Sequence, residues 1–460
     1  MTATPDLGGS ATPLPLDPDA LQDHGVKTVV LAAPDMQGRL FGRRMSPAHF
    51  RERLDGIDAC TCALAWDVEQ SLELQVDYAG FHSGWRDFRL VPDLATLRPM
   101  GWLDGVVVCL ADLREPDGDA VAIAPRTILA TQVQRLAALG YEAFVGSELE
   151  FYLYRDSYED ARTVGYRDLR PTTRYHADYL ISPGNLMEPF FRRLGDGLER
   201  SGIALELGQG EWGLGQWELN MRHGGAMATA DGHTLFKMAV KEVSALDGLS
   251  ATFMARPSTA EIGSSGHLHL SLRDASGGFP FFDAGAPDRL SDVFRWAVGG
   301  VLEHAADLMP WYAPTVNSYR RVSRDELVAG AGATWGYDNR TVSVRTVGES
   351  PEALRMELRL TGADVNPYLA IAALLASVAE GIERRLDPGP PIVGNAYDQA
   401  RRPLPGDLGK AAALLHASDT ARRAFGDAVV DHYAAVAEHE WQRFMGVVTE
   451  WEIARYFEQS

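Results

Sequence analysis

The stretch GSELEFYLY, residues 146–154, has the alternation of a β-strand but carries acids on one of its two faces. Successive side chains of an extended chain point to opposite sides, so Val145, Ser147, Leu149, Phe151 and Leu153 share one face and Gly146, Glu148, Glu150 and Tyr152 the other. At roughly 3.3 Å per residue the two carboxylates stand about 7 Å apart. Like charges at that range raise each other's pKa unless solvent or cations intervene. For one strand alone, a solvated sheet face is an equal reading. The pattern recurs, however. QWELN separates Gln216, Glu218 and Asn220 from Trp217 and Leu219; HLHLSL separates His267, His269 and Ser271 from three leucines; RMELRL separates Arg355, Glu357 and Arg359 from Met356, Leu358 and Leu360. Four segments between residues 145 and 360 therefore send apolar side chains one way and acids, imidazoles and guanidiniums the other. This predicts a single polar, concave sheet lining a cleft.

The rest of the chain can bury such a sheet. It has 460 residues, 46% of them hydrophobic, enough for two or three domains. With 43 basic and 63 acidic residues the net charge is −20, which works against general binding to nucleic acid or an anionic membrane and leaves small molecules or other subunits as partners. Three cysteines, Cys60, Cys62 and Cys109, are too few for a disulfide framework, and Cys60 and Cys62 read as half-buried thiols on one strand. A cytoplasmic location is expected. The segment 1–24, rich in Pro, Gly and Ala, lacks the features of a secretory signal and is expected to be a disordered arm. From Val26 the pattern is a hairpin, and an acidic linker near 114–125 marks a boundary, giving an N-terminal domain over 25–118 and a larger one over 119–460. A helix follows from Pro125, a buried helix starts at the Asn366 cap with Pro367 in its first turn, and Thr449 to Glu452 forms a capping box near the end.

Glutamates with a histidine and no cysteine form a hard donor set, suited to Mg²⁺ or Mn²⁺ more than to a closed zinc site. Glu148, Glu150, Glu211, Glu218, His267 and Glu357 are too many for one catalytic ion with open positions, and suit two. Arg321, Arg340, Arg345, Arg355 and Arg359 add planar forks for carboxylate and phosphate oxygens. Acids, metals and arginines together point to phosphoryl transfer. GQGEWG at 208–213 matches a dinucleotide fingerprint only in letters, because the residues after it do not open a helix. The sequence contains no P-loop motif.

In this order, the motifs strongly resemble those of the glutamine synthetase family. GSELEF resembles its strand with two metal-binding glutamates, and EWGLGQWE its segment with two more. GSSGHLHLS, NSYRR, DNRTVSVR and RMELRLTGADVNPYL are similar to its histidine, substrate-arginine, phosphate-arginine and closing motifs. The resemblance covers roughly residues 25–458. It implies an α+β/α/β fold, with a small N-terminal β-grasp domain and a large catalytic domain whose curved antiparallel sheet lines the active site. Glu150, Glu211 and Glu218 would hold one ion near glutamate, and Glu148, His267 and Glu357 the other near the phosphates of the co-substrate ATP. Gly263, Arg321 and Arg359 would bind glutamate; Arg340 would neutralise the transferring phosphoryl group; Glu206, His269, Ser271, Arg345 and Arg355 would contact ATP. The implied assembly is a dodecamer of two stacked hexameric rings.

The departures from the family pattern cluster around the acceptor. No D-G-S-S-like segment, which carries the ammonium-binding aspartate, occurs in AWDVEQSLELQVDYAGFHSGWRDF. Instead of the P-G-x-E-A-P flap the chain has VSRDELVAGAGATWG, where Glu326 or Asp325 would have to close the site, and Ile262 replaces an asparagine. The metal set is intact. These differences imply a ligase that forms γ-glutamyl phosphate and passes the γ-glutamyl group to an amine larger than ammonia, such as ethanolamine or a polyamine. Glutamine synthesis from ammonia is the alternative, and a catalytically silent regulatory homologue the third reading. Trp66, Glu69, Tyr78, His82 and Trp85 are candidate lining for an amine pocket, with surface or interface roles equally open.

Overall fold

In the computed structural model, which describes residues 15–322, 329–399 and 402–459, the hairpin expected from Val26 is formed by β1 (Thr28–Pro34) and β2 (Leu40–Met45). With β3 (Ile57–Cys60), β4 (Asp87–Pro92), β5 (Arg98–Pro99) and β6 (Val106–Arg114) they build a mixed sheet in the order β2-β1-β6-β4-β3, β5 pairing with β6 and β1 running parallel to β6. The unbroken apolar run of β6 follows from burial on both faces. Val107, Cys109 and Ala111 join one core, while Val108 and Leu110 join a second that also contains Leu149, Phe151 and Trp217.

Two expectations for this region are corrected. Residues 15–24 do not belong to a disordered arm: the Leu16 N–H donates to the Leu97 carbonyl at 2.8 Å, and Leu16 and Leu21 are buried. These two leucines anchor a segment whose Pro-rich composition suggests disorder; residues 1–14 lie outside the described residues. Cys60 and Cys62 are half-buried thiols but do not share a strand, since Cys60 ends β3 and Cys62 lies in the single-turn helix Thr61–Leu64.

The second sheet comprises β7 (Tyr141–Tyr154), β8 (Leu205–Gly210), β9 (Gln216–Gly225), β10 (Ser250–Thr252), β11 (Leu268–Asp274), β12 (Trp335–Tyr337), β13 (Val344–Val347) and β14 (Arg355–Leu358). Its order is β12-β13-β14-β11-β7-β9-β8, with β10 also on β7. All pairs are antiparallel except β12 with β13, so the expected antiparallel sheet ends in one parallel edge strand. Residues 208–210 finish a strand and no helix opens after them, which disposes of the dinucleotide fingerprint.

Helices cover the apolar face. The helix Pro367–Arg384 starts where the sequence places it: the Asn366 side chain accepts from the Tyr368 N–H at 3.1 Å and donates to the carbonyls of Asp35 and Met36, clamping the N-terminal hairpin to the catalytic unit. It packs closely on the helix Asp292–His304 through Gly300 and Gly381; a Cβ at Gly300 would lie 2.0 Å from the Ser377 carbonyl oxygen. None of the described helices is long and apolar enough to cross a membrane.

An ion cluster centred on the buried Arg126 ties the first sheet to the helices that cover the second. Arg126 donates to Asp93 (2.7 Å), to Asp112 on β6 (3.0 Å) and to Asp231 of the helix Ala226–Leu246 (2.7 Å), and Tyr368 also donates to Asp231 at 2.7 Å. Removing one partner of such a cluster leaves an uncompensated charge in the interior. Arg126→Leu is therefore expected to lower the unfolding free energy by about 3–5 kcal/mol, as read by urea denaturation; a loss under about 1 kcal/mol would show that the cluster is energetically idle.

Candidate active site

Strand register gathers the polar side chains. Across four strands, Arg345 of β13 faces Glu357 of β14, Glu357 faces His269 of β11, and His269 faces Gly146 of β7. Gly146 ends this row without a side chain. Further along β7, Glu148 faces Asn220 and Glu150 faces Glu218, which in turn faces Gln209 on β8. The alternation legible in the sequence thus becomes one surface, and the six glutamate and histidine candidates fall into two groups on it.

The first group is acids without a basic partner among the described residues. Glu150 accepts from the Gln216 amide and from the Ser265 N–H, both at 2.8 Å; Glu211 accepts from Gln209 at 2.8 Å; Glu218 accepts from Asn220 at 3.0 Å. Only neutral donors serve them. Burial, together with the charge of Glu150, pushes Glu211 up to about 8, and burial with Glu148 and Glu150 pushes Glu218 up to about 9.

The second group mixes acids with cations. Glu148 lies 2.8 Å from His269 Nε2 and 3.4 Å from His267 Nδ1, and His267 Nδ1 is also 3.4 Å from Glu357. Glu357, only 1% exposed, accepts from Arg345 at 2.9 Å and from Arg359. Burial opposes charge on Glu148, but the hydrogen bonds from both histidines outweigh it and hold its carboxyl well below the usual range. Burial opposes charge on Glu357 as well, yet His267 and Arg359 bring it down to about 2. Ligand atoms of Glu148, His269 and Glu357 lie within 4.8 Å of one another, a geometry able to hold a cation. Both imidazoles therefore border the same two carboxylates, where the family pattern distributes them between metal and nucleotide.

The other expected residues sit at graded distances from this surface. Arg321, 1% exposed, donates to the carbonyls of Leu360 and Arg359 at 3.0 Å and to Ser265 Oγ at 3.1 Å. The Gly263 carbonyl accepts from Gln216 at 3.1 Å, which ties it to Glu150 through one side chain. Arg355 donates to His269 Nδ1 at 3.1 Å. Ser271 lies further along β11, Arg340 is exposed in the turn before β13, and Glu206 is exposed on β8, 3.9 Å from Arg222. These three stand outside the inner cluster. Glu326 and Asp325 lie outside the described residues. Trp66 donates to Asp35 at 3.4 Å, Glu69 accepts from Arg443 at 3.0 Å, Tyr78 stacks under Arg86, His82 contacts the Asp77 carbonyl at 3.0 Å and Trp85 meets the exposed ring of Phe81.

Residues given no role in the sequence also shape the site. Gln209 supports Glu211, and Tyr152 donates to the Ile262 carbonyl at 2.7 Å, fixing the loop before Gly263. The parity of Gln209-x-Glu211 was the available signal for the first; the second is a long-range contact without a local signature.

The acid-only group makes a thermodynamic signature. At pH 7 Glu211 and Glu218 retain protons when no cation is present, and a cation displaces them. Calorimetric titration with Mg²⁺ in buffers of different ionisation enthalpy should show release of about one to two protons per chain at pH 7. The sign for stability follows: raised folded pKa values mean that the folded state binds more protons than the unfolded one between about 4.5 and 9, so these two groups make the metal-free protein less stable as pH rises through that window. Release of no protons would contradict the arrangement.

Comparison with known proteins agrees with this geometry. The model of the glutamine synthetase catalytic domain matches residues 122–456. A gamma-glutamylethanolamide synthetase of Streptomyces coelicolor is 41% identical over 94% of this chain and 93% of its own length. A glutamate–isopropylamine ligase of a Pseudomonas species is 34% identical over 96% of this chain and 97% of its own. The solved structure titled "Apo GmaS without ligand" superposes with a TM-score of 0.82 at 26% identity, covering 96% of this chain and 99% of that one. With a sheet that assembles the family's carboxylates and a family match over most of its length, this chain belongs to the glutamine synthetase family.

Proposed function

We propose that the protein is an ATP-dependent ligase that activates glutamate as γ-glutamyl phosphate and joins it to an organic amine, giving a γ-glutamylamide. The observation that carries this reading is the division of the carboxylates into two groups on one sheet. Glu150, Glu211 and Glu218, crowded and served only by neutral donors, would hold one divalent ion; Glu148 and Glu357 with His267 would hold the second. The donor set fits hard ions, Mg²⁺ or Mn²⁺, and the raised pKa values of Glu211 and Glu218 mark a place built for added positive charge. When bound, such ions neutralise phosphate charge and polarise the transferring group.

The chain's own residues account for the remaining steps. Arg321 and Arg359, both buried and fixed by hydrogen bonds, form the cationic floor on which the glutamate carboxylates would be set beside Gly263. Arg345 and Arg355, held by Glu357 and His269, would present guanidiniums to the ATP phosphates, and the family resemblance gives Ser271 and Glu206, outside the inner cluster, to the same nucleotide. Arg340, exposed in the turn before β13, is given the γ-phosphate by the family resemblance and would neutralise it as it passes to the glutamate side chain. Acyl phosphate formation turns a poor acyl donor into one with a stabilised leaving group, and the amine nitrogen then attacks the γ-carbonyl carbon and expels phosphate. The acceptor is assigned to the amine class on two supports: the missing D-G-S-S-like segment, and the names of the two relatives, which act on ethanolamine and isopropylamine. An organic amine brings apolar contacts that ammonia lacks, and each methylene in a fitted pocket is worth about 10–200-fold in kcat/KM.

A homo-oligomer completes the reading. The capped C-terminal helix Glu450–Tyr456 buries none of its residues, and Val448, Trp451, Ile453 and Phe457 are exposed around it. Exposed apolar side chains gathered on one short helix suit an interface, in keeping with the dodecamer that the family resemblance implies.

Purified protein with glutamate, ATP and Mg²⁺ should form amides from a panel of ethanolamine, isopropylamine, putrescine and methylamine, the best with kcat/KM at least about tenfold above ammonia; ammonia turning over fastest would favour glutamine synthesis. Glu150→Ala should lower turnover by about 10³-fold or more with every acceptor while circular dichroism stays native. Truncation after Gly446 should reduce the particle mass measured by light scattering, and an unchanged mass would remove the C-terminal helix from the interface.

A further inference from the structure

A cavity of about 630 Å³ lies between the turn joining β1 to β2, the helix Ala226–Leu246 and the C-terminal helix Asp427–Met445. Small-molecule sites usually measure roughly 300–1,000 Å³. None of the metal, glutamate or nucleotide residues assigned above lines it. Phe253, Trp311 and Met238 give it apolar walls, and Arg39, Lys237 and Lys241 meet at it. Lys237 and Lys241 are one turn apart on one helix face.

The charges around the cavity are unevenly satisfied. Arg39 is bound by Asp35 at 2.8 Å, and Lys237 Nζ donates to the carbonyls of Ala363 (2.8 Å) and Val365 (3.2 Å) while standing 5.4 Å from the centroid of the Phe253 ring. Lys241, at the solvent edge, makes no hydrogen bond or ion pair among the described residues. Of the acids on its wall, Asp364 accepts from Ser318 at 2.5 Å and from Thr315 at 3.0 Å, Asp67 is paired with Arg443, and Glu440 makes no hydrogen bond or ion pair among the described residues, burial raising its pKa toward the neutral form. Burial first, and after it the neighbouring Lys241, push Lys237 down to about 7, a penalty on its charge that Asp364 only partly offsets. An anion would relieve it.

The same cavity touches the supports of the glutamate residues from behind. Asn317, on its wall, accepts from the N–H of Arg256 at 2.8 Å and donates to the Arg256 carbonyl at 2.9 Å, on the loop leading to Gly263. Ser318, held by Asp364, opens the helix that carries Arg321. The carbonyls bonded by Lys237 come shortly after those of Arg359 and Leu360, which hold the Arg321 guanidinium.

From this geometry we propose that the cavity is an effector site for a small organic anion with an apolar body, its carboxylate between Lys241 and Lys237 and its hydrocarbon against Phe253, Trp311 and Met238. An anion there draws the Lys237 ammonium away from the Ala363 and Val365 carbonyls, loosens the segment that seats Arg321 and weakens glutamate binding. The binding claim goes beyond the ligase reading; only the glutamate readout rests on it.

4-Phenylbutyrate serves as the probe and 4-phenylbutylamine as its charge-reversed control, titrated calorimetrically into the full chain. Saturable binding of the carboxylate is expected, about tenfold or more weaker in Lys241→Gln, which sits at the solvent edge, and absent in Met238→Trp, which fills the cavity. No saturable binding, undiminished affinity in both variants, or equal binding of the amine would overturn the site. In amide synthesis by the unmodified protein, saturating 4-phenylbutyrate should raise the KM for glutamate severalfold, an effect lost in Met238→Trp; binding with an unchanged KM would overturn the effector role. A protein that forms no amide would sink the ligase reading while the calorimetry still decides the site.

Discussion

Mutual repulsion among buried carboxylates is the constraint around which this structure is organised. Glu148 and Glu150 are two residues apart on β7, and the sheet register then brings Glu218 opposite Glu150 and Glu357 within reach of His267 and His269. A chain that folds this way must supply positive charge from elsewhere. It supplies part of it through the guanidiniums of Arg345 and Arg359, sets two imidazoles beside Glu148, and leaves Glu150, Glu211 and Glu218 with neutral amide donors among the described residues. That deficit is the place we propose for divalent ions.

The scaffold explains how such a surface stays folded. Its other face is continuous core, with Val145, Leu149, Phe151 and Leu153 of β7 buried and the helix Pro367–Arg384 sunk behind it. The Arg126 cluster ties β6, and the Asn366 side chain ties the N-terminal hairpin, to this unit, so the first sheet supports the second. Asn366 is at once a helix cap and an interdomain clamp, which gives the N-P-Y-L segment a physical reason to follow the last catalytic strand.

Much of the site was legible because strand alternation is a local property. Glu148, Glu150, Glu218, His267, His269 and Glu357 could be assigned to one face from parity alone, and the structure places them on it. Charges and partners that depend on register were not legible. Nothing near Arg345 in sequence announces Glu357, and the pairing of both histidines with Glu148 needs the β7–β11 register. Residues 15–24 were misread for a related reason: composition reports the average of a segment, and two buried leucines in a Pro-rich stretch were enough to anchor it. The β12–β13 parallel pair likewise follows from chain path, to which side-chain pattern is blind.

The central claim is that side chains scattered along the chain hold a pair of divalent ions beside a nucleotide. Electron paramagnetic resonance of the protein loaded with Mn²⁺ and a non-hydrolysable ATP analogue tests it most directly. Two Mn²⁺ per chain with the spin–spin coupling of neighbouring ions is the result this account requires; a single isolated Mn²⁺, or binding undisturbed when Glu150 and Glu357 are both replaced, would contradict it.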